Sequence, residues 1–201
     1  MKNVRLVGRL LERALRESLA KIDPTGKMEL SEFRVISSSD LVIEGLLEGV
    51  NFVGFAIGDG PELIMAFDFE NSSTIVSRLL KLKKTGILET YNIRELMESL
   101  LRELGNVIAG QFASRLSNSL GYELLPSVPF SIKTVDQLER VLNFLGGGKK
   151  LPVLVGLVYD EHGGCLEVYI IPSADFFEML ARYPEPFKRT GRRSRGVEYA
   201  R

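Results

Sequence analysis

Leu6, Leu10, Leu11, Ala14, Leu15 and Leu19 recur at helical spacing, so residues 3–21 read as an amphipathic helix. Asp23-Pro-Thr-Gly26 ends it with turn chemistry. The period then changes: Met28, Leu30, Phe33 and Val35 alternate like a strand over Met28–Ile36, with a slip near the middle. Leu41–Leu47, Phe52–Ile57 and Leu63–Phe69 are rich in β-branched and aromatic residues. Gly49 and Gly58-Asp-Gly-Pro61 divide them, which predicts antiparallel hairpin strands. Asn71-Ser-Ser-Thr caps a short helix ending near Lys84, and Gly86 begins a loop.

Asn92-Ile-Arg-Glu95 opens the next helix as a capping box, with Asn at the cap and Glu three residues later. That helix runs to Leu120, with Gly121 as its C-cap, and its core face uses Met97, Leu101, Leu104, Ile108 and Phe112. A strand over Tyr122–Ile132, a helix over Val135–Leu145 and a turn at Gly146-Gly-Gly-Lys-Lys150 follow. Val153–Tyr159 and Leu166–Ile171 form a hairpin turning at Asp160-Glu-His-Gly-Gly164. A last helix covers Ala174–Arg182 and ends before Pro184 and Pro186.

Long helix, strand, hairpin and short helix occur in residues 3–84 and again in 92–182, a succession that suggests a duplicated unit. The strands of both half-units can share one antiparallel sheet covered by the two long helices. This predicts a two-layer α+β domain over residues 1–183. Residues 184–201 form a basic tail with no apolar periodicity to pack.

Composition narrows the partners. Lys plus Arg number 26 and Asp plus Glu 26, so no global field points to nucleic acid. The run Lys188-Arg-Thr-Gly-Arg192-Arg193-Ser-Arg195 leaves the remainder mildly acidic, which does not favour DNA binding either. At 45% apolar the chain can bury a sizeable core. No stretch approaches the roughly 20 apolar residues that a membrane span needs. The N-terminus lacks a signal-peptide pattern, so a cytoplasmic location is expected. Cys165 is the single cysteine, so no intramolecular disulfide can form.

Several chemical motifs fail. Gly146-Gly-Gly-Lys-Lys150 lacks the spacing and the Ser/Thr of a phosphate-binding loop. His162 and Cys165 lie across a hairpin turn with no second pair of metal ligands. The only histidine sits in that turn, which argues against a Ser/His or Cys/His triad. The 92–120 helix remains. Glu103 and Asn106 leave the same helix face, and Ser99 sits one turn earlier on it. Gly105 and Gly110 each cost about 1 kcal/mol relative to Ala in a helix interior. Glycine there lets another surface approach the backbone. Ser99, Gly105 and Gly110 are therefore read as partner-contacting positions beside Glu103 and Asn106.

The run Glu103-Leu-Gly-Asn106-Val-Ile-Ala-Gly110, followed by Phe112-Ala-Ser-Arg-Leu116 and Gly121, resembles the CheC/CheX/FliY family of chemotaxis phosphatases. That family's motif is Asp or Ser, three residues, Glu, two residues, Asn, then Pro after a fixed gap. Ser99, Glu103, Asn106 and Pro129 fall in register with it. The likeness extends more weakly over most of residues 3–182. The first helix, reading Val7-Gly-Arg-Leu-Leu-Glu12-Arg-Ala-Leu15, has no second Glu-x-x-Asn. The chain thus resembles a one-site, CheX-like member, with a CheC-like Tyr169-Ile-Ile-Pro172 before the last helix.

The resemblance implies a CheC-like fold and hydrolysis of the aspartyl phosphate of a CheY-type receiver. In that reading Asn106 positions the attacking water and Glu103 docks on a receiver lysine. No cofactor is expected on this chain, and Mg²⁺ belongs to the receiver. The phosphorylated receiver is the implied partner; binding of CheD and pairing with a second copy stay open, and neither nucleic acid nor membrane insertion is expected. The alternative is a non-catalytic adaptor of the same fold that binds a receiver, CheD or the flagellar switch.

Overall fold

Alternating side chains separate onto the two faces of a six-stranded antiparallel sheet, and each face is covered by helices. The computed structural model describes residues 2–72, 75, 76 and 93–182. In chain order the elements are α1 (Lys2–Ile22), β1 (Met28–Ser37), α2 (Ser38–Glu48), β2 (Phe52–Ile57), β3 (Leu63–Asp68), α3 (Ile93–Leu120), β4 (Phe130–Ile132), α4 (Val135–Gly146), β5 (Pro152–Asp160), β6 (Cys165–Pro172) and α5 (Ala174–Arg182). A further helical stretch begins at residues 69–72, directly after β3.

The sheet order is β1-β5-β6-β3-β2-β4. It reads the same from either end if β1 is exchanged with β4, β5 with β2 and β6 with β3. β1 pairs with β5, and β4 pairs with β2, so strands from before and after α3 are interleaved. The slip in the alternation of β1 is a β-bulge between Leu30 and Glu32.

Val53, Phe55 and Ile57 of β2, Leu63, Met65 and Phe67 of β3, and Leu166, Val168 and Ile170 of β6 pack under α1, α3 and α5. The intervening residues Phe52, Ile64, Ala66, Tyr169 and Ile171 face the other way. The α+β class and the two long helices over an antiparallel sheet therefore hold. What a two-layer description leaves out is the opposite face, where Leu41 of α2 and Leu138, Leu142 and Leu145 of α4 add a third layer.

Three local expectations are corrected. Residues 41–47 are helical, not a strand. Ser37 caps α2: its side chain accepts from the Asp40 N–H at 3.2 Å, and the Ser37 N–H donates to the Asp40 carboxylate at 3.0 Å. Such a cap is worth about 1 kcal/mol, and Leu41 and Gly45 bury one helical face. Together these override the β-branched pair Val42 and Ile43. Secondly, only Phe130–Ile132 of the 122–132 segment is a strand. Pro126 and Pro129 cannot donate to a ladder, and upstream of β4 only the Ile57–Pro126 bridge pairs. Thirdly, the stretch at 69–72 starts before Asn71, whose N–H donates to the Asp68 carboxylate at 2.7 Å, so Asp68 takes the capping role. The helix end near Lys84, the loop at Gly86, the Asn92 cap and the tail after Tyr183 lie outside the described residues.

α3 lies tight against the sheet at Gly105. A Cβ there would stand 2.7 Å from a ring carbon of Phe55 and 3.0 Å from two of Phe67. Both rings are fully buried and meet edge to face, with centroids 5.9 Å apart, so neither has room to retreat. Gly105→Ala gains up to about 1 kcal/mol of helix propensity but overpacks this contact, at about 1–3 kcal/mol. We expect a lower melting temperature for Gly105→Ala and a larger drop for Gly105→Leu. A rise in melting temperature for the alanine variant would contradict the close approach.

Asp68 is the strained carboxylate of the fold. Burial raises its pKa to about 6, helped by the nearby Glu167 and Glu70, although the Asn71 N–H pulls the other way. Its folded-state pKa thus lies above the ordinary value of 3.8. Stability from this group is full below that value and is lost as pH rises through about 6. Asp68→Asn keeps an oxygen to accept from the Asn71 N–H and removes the charge. The variant's stability relative to wild type should rise between pH 4 and pH 7.5, by at most about 3 kcal/mol before solvent screening is discounted. Denaturant titrations at the two pH values read this directly, and a gap that shrinks with rising pH would refute it.

Candidate functional site

The exposed side of α3 follows from what its other side buries. Leu101, Gly105, Ile108, Phe112 and Leu116 face the core. Of the expected core positions, Met97 and Leu104 are only partly buried, and Leu100 is buried instead. At about 100° per residue, Gly105 points about 160° away from Glu103 and about 100° from Asn106. Ser99, Glu103 and Asn106 are all exposed, on one side of the helix. They span about 10 Å along its axis, at about 1.5 Å per residue.

The two glycines part company. Gly110 has no atom within 4 Å of a built Cβ, so its flank is open. Gly105 is corrected: it is buried against Phe55 and Phe67 and cannot be a partner-contacting position. Glycine there admits the chain's own sheet, not a second protein.

α3 ends at Gly121, whose φ of +79° suits glycine and whose N–H donates to the Ser117 carbonyl at 2.8 Å. The chain then turns back along α3. The Leu124 N–H donates to the Ser117 hydroxyl at 2.8 Å. Farther on, the segment is fastened to the edge of the sheet. The Gly58 N–H donates to the Leu125 carbonyl at 3.0 Å, the Ser127 N–H to the Ala56 carbonyl at 2.7 Å, and the Ala56 N–H to the Ser127 hydroxyl at 3.0 Å. A shallow cleft lies between this segment and α3, lined among others by Gly110, Ser114, Asn118, Leu125 and Pro126.

Arg102 ties the two together. Its guanidinium donates to Glu98 at 2.8 Å and to the Ser131 hydroxyl of β4 at 2.7 Å, and lies 3.5 Å from the Pro129 carbonyl oxygen. Ser131 also donates to Glu98 at 3.3 Å, and Lys133 approaches it at 3.4 Å. The Arg102 guanidinium, with Lys133 behind it, holds the Glu98 carboxyl below its ordinary range. Pro129 is thereby set against the helix that carries Glu103 and Asn106. The i,i+4 spacing of Glu98 and Arg102 is visible in the sequence; their link to Ser131 is not.

The site holds one acid, one carboxamide and one hydroxyl on a rigid helix. It has no activated nucleophile. Glu103 offers a charge for docking, and the Asn106 carboxamide can both accept and donate hydrogen bonds while staying neutral. Among the described residues no group of three or more His, Cys, Asp and Glu is placed to hold a metal ion, and no helix is long and apolar enough to cross a membrane.

Residues 96–132 match the CheC-like family. This is the segment that holds Glu103, Asn106, the turn at Gly121 and Pro129. No curated protein matches the sequence. Among solved structures, Thermotoga maritima FliY is 17% identical with a TM-score of 0.56, over 89% of this chain and 93% of that one. The middle domain of FliM from H. pylori is 12% identical with a TM-score of 0.57, over 90% and 97%. H. pylori FliM in its complex with FliG is 13% identical with a TM-score of 0.52, over 83% and 96%. Those identities speak for the fold, and the family match falls on the segment that carries the exposed Glu103–Asn106 face. The chain is thus similar to the CheC-like family over residues 96–132, and it shares its fold with FliY and the FliM middle domain.

Proposed function

We propose that the chain hydrolyses the aspartyl phosphate of a CheY-type receiver domain, using the exposed face of α3. The observation that carries this reading is the pair Glu103 and Asn106, solvent-facing on a buried-backed helix within the CheC-like segment. An acyl phosphate is already prone to hydrolysis, so an enzyme has little covalent chemistry to supply. It needs to place a water in line with the scissile P–O bond. The Asn106 oxygen accepts a hydrogen bond from that water and its nitrogen donates to a phosphoryl oxygen. Water attacks phosphorus, the bond to the receiver carboxylate breaks, and inorganic phosphate leaves. Glu103, about one turn away, pairs with a receiver lysine and stays clear of the phosphoryl charge, which would repel it. Mg²⁺ is the receiver's metal and requires no ligand from this chain.

The second reading is a binding module that holds its partner without hydrolysis. It is favoured by the likeness to the FliM middle domain and to FliM solved in complex with FliG. Phosphate release from a phosphorylated receiver, with and without the chain, separates the two. We expect Asn106→Ala to lower the release rate by about 100-fold or more, the scale of lost positioning. Its unfolding free energy should shift by less than about 0.5 kcal/mol, since the position is exposed. Wild-type turnover in that variant would reject the mechanism.

Glu103 is expected to act through binding. Glu103→Ala loses an attraction and Glu103→Lys adds a repulsion to the receiver lysine. Affinity should fall in that order in a receiver titration, with the lysine variant the weaker. Wild-type affinity in both variants would take Glu103 out of the interface.

A further inference from the structure

The segment facing α3 leaves apolar side chains outward although its backbone is firmly held. Val128 is 83% exposed and Leu125 58%. Ordered loops that display apolar groups are ready-made contact surfaces, because most of the ordering cost has been met before a partner arrives. Their place along α3 can be worked out. Arg102 lies at the Pro129 carbonyl, and Leu125 shares a cleft with Gly110. From 102 to 110 the helix rises about 12 Å at 1.5 Å per residue. From 129 to 125 an extended chain covers about 13 Å at 3.3 Å per residue. The two run level, and Val128, next to Pro129, lies near Arg102, the neighbour of Glu103 on α3.

We infer that the receiver does not rest on α3 alone: Val128 and Leu125, on the segment that Arg102 fastens to α3, form a second, apolar wall of the same docking site and set how tightly the receiver is held. This rests on the phosphatase reading, in which α3 supplies the reactive wall. The occupant is a receiver domain whose phosphorylated carboxylate faces Asn106 while an apolar patch beside it meets Val128. Arg102 is a positioning residue. Its guanidinium makes its hydrogen bonds to Glu98 and Ser131, and it acts by fixing the distance between the two walls.

The test uses the full chain and two probes: a receiver domain phosphorylated with acetyl phosphate, and the same receiver charged with beryllofluoride. Turnover is followed with the first and affinity with the second. Val128→Asp and Leu125→Asp should raise KM and Kd about 10-fold or more while kcat stays within about twofold, since apolar contact acts on binding and not on the reacting atoms. Leu47→Asp on α2, a position as exposed as Val128 but on the other side of the sheet, should change neither. Arg102→Ala should raise KM likewise, with Arg102→Lys restoring part of the loss. A residue that merely stabilises the fold would lower the melting temperature and leave KM alone. Wild-type Kd in both aspartate variants overturns the second wall even when Asn106→Ala abolishes turnover. Conversely, tight binding without any hydrolysis, still weakened by Val128→Asp, keeps the wall and removes the phosphatase reading. A chain that binds no charged receiver overturns both.

Discussion

The approach of α3 to the sheet at Gly105 is the contact on which the rest depends. Two buried rings, Phe55 and Phe67, occupy the space a Cβ would need. The helix can therefore sit at this depth only with its residue 105 turned inward. A helix has one rotational setting about its axis, so choosing the buried side also chooses the exposed one. With Gly105 against the rings, Glu103 and Asn106 must face solvent. The exposed pair is a consequence of the core beneath it.

Strand β2 is the common base of the candidate site. Its Phe55 meets α3 from below, and its edge holds the returning segment through Gly54, Ala56, Ile57 and Gly58. Helix and segment are thus referred to the same strand, and Arg102 closes the arrangement from above by joining Glu98 to Ser131. A site on a helix backed by a sheet is held more accurately than one on a loop. β2 itself lies between β3 and β4, in a sheet whose strands are interleaved from both halves of the chain. The base of the site is completed only when both halves have folded.

Likeness of fold does not carry the function. FliY and the FliM middle domain share this architecture, and function lives in sites placed on a fold. Here the segment that matches the CheC-like family presents a carboxylate and a carboxamide on one helical turn. The charge around them is arranged with restraint. Glu98 and Arg102 pair with each other at 2.8 Å, one turn from the exposed Glu103 and Asn106. Asp68 is different. It stays half-buried among other acids and costs stability at neutral pH, because its carboxyl also caps the helical stretch that follows β3.

Periodicity was enough for α1, the hairpins, α4 and α5, since each is long or alternates cleanly and is closed by turn residues. It failed at Leu41–Leu47, where a strand-like composition hid the Ser37–Asp40 cap that makes a helix. It failed again at Tyr122–Ile132, where two prolines keep an extended segment from pairing along its length. The Glu103–Asn106 face was legible because helical phase is a local property: residues three apart share a side wherever the helix packs. The role of the glycines was not. Spacing treats Gly105 and Gly110 alike, and only the fold brings Phe55 and Phe67 beneath the one while leaving the other open. The same holds for Val128 and Leu125, ordinary apolar residues in the sequence. Their exposure on a segment held against α3 was decided by hydrogen bonds to β2 and by the reach of Arg102, contacts between segments far apart in the chain that no local pattern encodes.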